Sequence, residues 1–156
     1  SSAASDVYKR QQPDEGQVLL DGKPLSEYKG YCPVQLIWQH PQEAVNPRRK
    51  MKTVLEEGGV LDERLIHGLG IEKEWMERYP GELSGGELQR FCIARALGEK
   101  TSFLLADEIT AMLDLITQSQ IWNFLLEEVR SREIGLLVVS HSEPLLQRIC
   151  TGRIQL

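Results

Sequence analysis

The stretch "LSGGE", residues Leu83 to Glu87, combines residue types that suit phosphate binding. Ser84 and Glu87 have the spacing of a capping box, which predicts a helix beginning at Gly85 and Gly86. The first turn of a helix leaves N–H groups unpaired and carries the positive end of the helix dipole. Because the glycines have no side chains, a phosphate can approach the backbone there. The alternative is a capped helix start without a ligand.

Two carboxylates follow Phe103–Ala106, an apolar run typical of a buried strand. Asp107 is well placed to hold Mg²⁺ through water, because Mg²⁺ keeps several waters and takes few carboxylates. Glu108, next to it, could orient or deprotonate an attacking water. The alternative is a strand end with two solvated acids.

Two further polar residues stand at predicted strand ends. His141 follows the apolar run Leu136–Val139 and could contact a terminal phosphate. Gln39 ends the run Val34–Gln39, and its amide oxygen could bind a metal ion or a water. Each of them alone is compatible with a structural role. Together with the two acids and the glycine turn, they indicate a site for phosphate, Mg²⁺ and water.

The elements that must position these residues can be predicted from the apolar pattern. The runs Phe103–Ala106 and Leu136–Val139 do not alternate, which favours parallel strands covered on both faces. An apolar i+4 repeat between them predicts a helix over about Leu115–Arg132; its members are Ile121, Leu125 and Val129. Strand, helix and strand form a βαβ unit. Ligands bind beyond the carboxyl ends of such strands, where the two acids and the histidine fall.

The first half of the chain predicts shorter elements. Val18–Leu20 reads as a strand followed by an Asp-Gly turn, and Val34–Gln39 as a strand stopped by Pro41. Three short helical stretches follow, at Lys52–Glu57, Asp62–Leu69 and Glu72–Arg78. We therefore predict an α/β fold in which a helical subdomain at about residues 43–82 is inserted into a parallel-sheet domain, with the catalytic βαβ core at about residues 101–156. Residues 1–12 lack periodicity and are set aside as a leader.

Composition excludes several classes of function. The formal net charge of −5, from 18 Lys and Arg against 23 Asp and Glu, argues against a nucleic-acid partner. No apolar run approaches the ~20 residues of a membrane span. The three cysteines are widely spaced without a CxxC pair, so neither a zinc site nor a disulfide framework is predicted.

The motifs together resemble those of the ATPase subunit of ABC transporters. "LSGGE" is the signature motif of that family as it stands. Most of the other family motifs have counterparts in the second half of the chain: "FLLADE" (Phe103–Glu108) resembles the Walker B strand, "TAMLD" (Thr110–Asp114) the D-loop, and "VVSHS" (Val138–Ser142) the switch histidine loop. In the first half, "LIWQHPQEAVNP" (Leu36–Pro47) resembles the Q-loop of the dipeptide, oligopeptide and nickel importer branch. The stretch "PDEGQVLLDGKPL" (Pro13–Leu25) resembles the segment after the P-loop helix.

The resemblance implies a role for each strand-end residue. Glu108 would be the general base and His141 would contact the γ-phosphate of ATP. Asp107 would bind the Mg²⁺ ion, and Gln39 would contact Mg²⁺ or the attacking water and couple to a membrane subunit. Asp114 would line the interface with a second ATPase subunit.

The resemblance also implies cofactors and partners. The signature turn, Ser84, Gly85, Gly86 and Glu87, would bind ATP held by the opposite subunit of a head-to-tail dimer, homo- or heteromeric. ATP and Mg²⁺ would be the cofactors, and transmembrane permease subunits would hold the ATPase at the inner face of the cell membrane, on its cytoplasmic side. The function implied is ATP hydrolysis that powers uptake of a peptide or nickel-like solute.

The chain departs from the family in three places. Ile109 replaces the usual proline after the Walker B glutamate, and Met112 replaces the usual alanine two residues before Asp114. No G-x-x-x-x-G-K-[ST] P-loop occurs in the 156 residues, so we expect residues 13–156 to be an N-terminally truncated domain of P-loop NTPase type that binds ATP weakly by itself. The alternatives are a non-catalytic interaction module and, with less support because the insert lacks heptads, an ABC-type ATPase of DNA repair.

Overall fold

The computed structural model of the protein describes residues 16–59 and 62–152. The strands are β1 (Leu19–Leu20), β2 (Lys23–Pro24), β3 (Val34–Ile37), β4 (Phe103–Asp107) and β5 (Gly135–Val139). The helices are α1 (Pro41–Ala44), α2 (Met51–Glu57), α3 (Glu63–Gly68), α4 (Gly85–Ala96), α5 (Leu115–Ser131) and α6 (Glu143–Ile149). Three 3₁₀ turns lie at Leu25–Glu27, Lys73–Glu77 and Pro80–Glu82. The segment 1–12 that the sequence analysis set aside lies outside the described residues.

The main sheet is parallel, with the strand order β3-β4-β5. Strand β4 lies at the centre, with Phe103 opposite Val34 on one side and Gly135 on the other. Because consecutive parallel strands need a crossover, α1 to α4 connect β3 to β4, and α5 connects β4 to β5. The predicted βαβ unit and the α/β fold class are confirmed.

The two faces of the sheet are covered unequally within the described residues. On β5, Leu137 and Val139 are 44% and 54% exposed, whereas Leu136 and Val138 pack against the core. The expectation that both faces of this strand are covered is therefore wrong for the part of the chain that the structure describes. A continuous apolar run shows only that both faces are apolar, and what lies against each face is decided by the rest of the fold.

Helix α4 forms the centre of the core. Leu88, Phe91, Cys92 and Ala96 recur at helical spacing and are all at most 3% exposed. The polar Arg95 is also buried, and its guanidinium donates to the carbonyl of Ala44 at 2.9 Å, which ties α4 to the residues after β3.

Helix α3 is bound to α5 by a matched pair of contacts. Arg64 and Gly68 are one turn apart on α3, and Phe124 and Glu128 are one turn apart on α5. The guanidinium of Arg64 forms two hydrogen bonds with the Glu128 carboxylate, whose side chain is 1% exposed. A Cβ atom at Gly68 would come within 2.0 Å of the Phe124 ring, so this position has no room for a side chain. The inserted helices are therefore fixed to the sheet domain by both charge and close packing.

Several predicted boundaries need correction. Strand β3 ends at Ile37 and not at Gln39, and Pro41 begins α1 instead of merely stopping the strand. Proline is suited to the first turn of a helix because its missing N–H would be unpaired there in any case. The predicted helical stretch Glu72–Arg78 is a 3₁₀ turn over Lys73–Glu77. The hairpin predicted at Asp21 and Gly22 is confirmed, with β1 and β2 antiparallel on either side.

Two absences hold for residues 16–59 and 62–152. No helix there is long and apolar enough to cross a membrane. No group of three or more His, Cys, Asp or Glu side chains there could hold a metal ion. All three cysteines are free, and burial raises the pKa of the Cys92 thiol to about 11, which makes it an unreactive core residue.

Candidate active site

Glu108 lies where β4 ends, in a turn that aims its carboxylate at the loop after β5. Its backbone has a φ of 47°, and its N–H donates to the carbonyl of Val139 at 3.0 Å, so the pairing with β5 extends one residue past the strand. The side-chain carboxylate accepts a hydrogen bond from the hydroxyl of Ser140 at 3.3 Å and another from the backbone N–H of His141. Two strand ends thereby hold one carboxylate in a fixed place.

His141 is close to Glu108 but points to solvent. Its Nε2 lies 4.0 Å from Oε1 of Glu108, and its side chain is fully exposed whereas that of Glu108 is 13% exposed. The structure therefore brings together the two residues predicted as catalytic. An exposed imidazole beside a held carboxylate can reach a ligand that approaches the carboxyl end of the sheet.

Asp107 is the last residue of β4 and is half-buried. It precedes Glu108, so the two carboxylates stand next to each other at the strand end. One or two carboxylates are the protein ligands that Mg²⁺ commonly takes, with the remaining positions filled by waters and substrate phosphates. The donor set at this strand end fits that ion.

Gln39 lies in the loop between β3 and α1 and is exposed. It lines a small cavity together with Glu108 and Gly85, so the structure joins the predicted Q-loop, the strand-end acid and the signature turn. Other lining residues are Pro41, Gln89, Ile109, Met112 and Leu113. The sequence analysis had not assigned Gln89 to the site, although its position one helical turn after Gly85 could have indicated it.

The signature turn folds as its capping box predicted. The N–H of Glu87 donates to the hydroxyl of Ser84 at 3.2 Å, and the N–H of Ser84 donates to the Glu87 carboxylate at 2.7 Å. The Glu87 side chain therefore serves the helix cap. A Cβ atom at Gly86 would lie 2.7 Å from Leu113, so this glycine is also needed for packing against the loop after β4.

That loop, residues 109–114, is held by α5. The Trp122 ring donates to the hydroxyl of Thr110 at 2.9 Å, and the Gln118 amide donates to the carbonyls of Thr110 and Leu113. Ile109, which replaces the family proline, is 3% exposed and fills the cavity wall. The rigid loop thus fixes the position of Asp114 at its end.

Asp114 caps α5. Its carboxylate accepts hydrogen bonds from the backbone N–H groups of Ile116 and Thr117, each at 3.0 Å. Hydrogen bonding to the side chain and backbone of Thr117 lowers the pKa of the Asp114 carboxyl, so it stays charged. Its carboxylate is exposed, which leaves it accessible to another chain.

This geometry is that of an ATP-binding cassette. The sequence profile described as "ABC transporter" matches residues 1–111, a range that includes residues 1–12. The chain therefore belongs to the ABC transporter family.

Relatives point to one branch of that family. The chain is 37% identical over 149 residues to the nickel import ATP-binding protein NikD of Pseudomonas putida, covering 86% of this chain and 58% of that protein. It is 30% identical over 157 residues to the oligopeptide transport ATP-binding protein OppF of Streptococcus mutans, covering 87% of this chain and 50% of that protein. The chain thus spans about half the length of these two relatives.

Solved structures share the fold. The dimeric ATP-binding cassette MJ0796, in a post-hydrolysis state bound to ADP and Pi, superposes with a TM-score of 0.73 at 22% identity. The match covers 87% of this chain and 67% of that one. This similarity confirms the predicted α/β fold with its parallel sheet.

Proposed function

We propose that the chain is part of the ATP-hydrolysing subunit of an importer for a peptide or a nickel-like solute. The observation that carries the proposal is the Glu108 carboxylate, fixed by Ser140 and His141 and facing a cavity that Gln39 and the signature turn also line. A held, largely buried carboxylate next to a phosphate-binding turn is suited to accept a proton from an attacking water. His141 would contact the terminal phosphate of ATP.

The metal expected at this site is Mg²⁺. When bound, Mg²⁺ supplies positive charge that offsets the charge on the phosphates. Asp107 would hold it through water, and Gln39 would contact the ion or the attacking water. The role of these residues is to position the ion and the water relative to Glu108.

One expected partner is another ATPase subunit. Three large apolar side chains around Asp114 are exposed: Met112 by 54%, Leu115 by 81% and Ile116 by 72%. Apolar side chains exposed together in this way are typical of interaction sites. Asp114 would lie in that interface, and Ser84, Gly85 and Gly86 would bind ATP carried by the partner. Glu87 would act there as the residue that caps the signature helix.

The location follows from the proposed partners. Permease subunits would contact the region of Gln39 and keep the ATPase on the cytoplasmic side of the membrane. The transported solute would be selected by those subunits.

The assignment of the signature turn can be tested by Ser84→Arg in the subunit expressed from its complete gene. We expect ATP binding to persist and ATP-dependent dimerisation to disappear, because the arginine side chain would occupy the place of the partner's phosphate. Sedimentation velocity measures the dimer, and calorimetry measures ATP binding.

The matched control is Ser84→Ala, which removes the helix cap but adds no bulk. It should cost about 1 kcal/mol of stability and still allow dimerisation. If Ser84→Arg dimerised with ATP as well as Ser84→Ala does, the signature turn would not face a partner's nucleotide.

A further inference from the structure

Gln89 is a buried amide that contacts the backbone immediately before Gln39. Its side chain is on α4 and is 3% exposed, and its Nε2 donates to the carbonyl of Trp38 at 3.0 Å. The orientation of this amide is fixed by chemistry, because only its NH₂ end can face a carbonyl oxygen. The signature helix is thereby tied to the loop that carries Gln39.

The other end of the same amide has no hydrogen-bond donor within residues 16–59 and 62–152. No N–H or O–H group of the described residues donates to Oε1 of Gln89, although that atom is buried. A buried acceptor left without a hydrogen bond costs about 1–3 kcal/mol. Such a group is therefore expected to have a donor outside the described residues, and an ordered water commonly serves as one.

The cavity beside Gln89 has the size and the polar groups to hold that donor. The cavity volume is ≈ 10 Å³, which is room for about one water molecule. Three polar side chains line it: Gln39, Gln89 and Glu108. A buried water usually makes two to four hydrogen bonds, and these side chains offer that number.

The geometry points to Gln89 as a positioning residue that holds Gln39 in place by two connections. One is the hydrogen bond from its Nε2 to Trp38, and the other is an ordered water bound to its Oε1 and shared with Gln39 and Glu108. Gly85 and Gln89 lie one turn apart on the same helix and line the same cavity. The helix that begins at the candidate phosphate site therefore also sets the position of Gln39. The role of Gln89 in turnover rests on the proposed function, whereas the water site does not.

The test of turnover is Gln89→Met in the complete ATPase, which removes both hydrogen bonds and keeps a side chain of similar length. We expect kcat to fall about tenfold, because small displacements of a positioning group reduce rates by such factors. The KM for ATP should stay within about twofold, because the phosphate-binding turn is unchanged. In combination with Gln39→Met, the two losses in kcat should not multiply, since Gln89 acts through Gln39.

The matched control is Gln35→Met. The Gln35 amide also donates to a backbone carbonyl, that of Cys32 at 2.6 Å, and it lies on β3, away from the cavity. The kcat of the Gln35→Met variant should equal that of the wild type. The role of Gln89 is overturned if Gln89→Met has the same kcat as Gln35→Met, or if the losses in kcat multiply in the double variant. Either result counts even if Glu108→Gln abolishes hydrolysis, because that outcome tests the proposed function and not Gln89. A wild-type protein without hydrolysis would instead contradict the proposed function.

A crystal structure of the 156-residue chain tests the water directly, whatever the activity. An ordered water within hydrogen-bond distance of Oε1 of Gln89 supports the inference. A direct hydrogen bond from the Gln39 amide to that oxygen, with no water between them, overturns it.

Discussion

The turn after β4 and the turn after α5 are both built on a glutamate with a positive φ, yet they hold that glutamate differently. Glu108 has a φ of 47° and Glu133 a φ of 53°. Glu133 ends α5 in a Schellman motif, in which the N–H of Ile134 donates to the carbonyl of Val129 at 2.9 Å. Its side chain is exposed, whereas the carboxylate of Glu108 is held by Ser140 and His141.

The difference shows that backbone strain by itself does not mark a functional site. A left-handed conformation costs a non-glycine residue of order 1–3 kcal/mol. At Glu133 that cost accompanies an ordinary helix end. Helix α3 ends in the same kind of turn, and there Gly70, with a φ of 61°, occupies the position that Glu133 occupies after α5. At Glu108 the same cost places a carboxylate between two strand ends. The distinguishing feature is the side chain's partners, which come from the other strand.

The largest effect expected from this comparison is on hydrolysis. In the complete ATPase, Glu108→Gln should lower kcat by about 10²- to 10⁴-fold, the usual contribution of a general base, while ATP binding persists. Phosphate release under saturating ATP measures kcat, and calorimetry measures binding. Glu133→Gln is the control, with the same exchange at a similar φ, and should retain the wild-type rate. Equal rates for the two variants would show that Glu108 is not the base.

A third glutamate extends the comparison to stability. The Glu128 side chain is buried, and its carboxylate forms an ion pair with the guanidinium of Arg64. The Nη1 atom of Arg132 lies 4.0 Å from Oε2 of the same carboxylate. Arg64→Ala should lower the free energy of unfolding by about 2 kcal/mol, because it leaves the buried Glu128 carboxylate with one distant partner. The loss is smaller than for a fully buried pair, since the Arg64 side chain is 59% exposed. Urea unfolding followed by circular dichroism measures this.

Lys73→Ala is the control for that loss. Lys73 pairs with Glu63 at 3.8 Å, but both side chains are more than 80% exposed. An exposed pair contributes at most about 1 kcal/mol, so the control should unfold nearly as the wild type does. Equal losses in the two variants would mean that the α3–α5 contact is no more than a surface ion pair.

The smallest expected effect concerns the backbone of Glu133. Glu133→Gly should raise the free energy of unfolding by about 0.5–1 kcal/mol, because relief of the left-handed strain exceeds the added entropy of the unfolded chain. Thermal unfolding of the 156-residue chain measures the change. Glu127→Gly makes the same exchange at an exposed position inside α5 and should lower stability by about 1 kcal/mol. A loss at both positions would show that the turn at Glu133 is not strained.

Most of the helices and strands could be predicted from the sequence, but the residues at which they end were predicted less accurately. Helices α4 and α5 follow from apolar spacing and from caps at Ser84 and Asp114, although the sequence analysis gave Asp114 only an interface role. Strand β3 was predicted two residues too long because its apolar run continues past Ile37, whereas its pairing with β4 stops there. Strand β3 ends where its hydrogen-bonded pairing ends, and the apolar run of one strand does not reveal that point.

The candidate site likewise contains some contacts that the sequence predicts and others that it does not. The capping box of Ser84 and Glu87 joins residues three positions apart, so the sequence alone determines it through helix geometry. The contact of Glu108 with His141 joins residues 33 positions apart, and that of Gln89 with Trp38 joins residues 51 apart. Strand order, register and the packing of α4 against β3 decide these contacts, because residues so distant along the chain meet only after the sheet has formed. The sequence thus determined which chemical groups are present and which local turns present them, and only the tertiary structure decided which of those groups share a cavity.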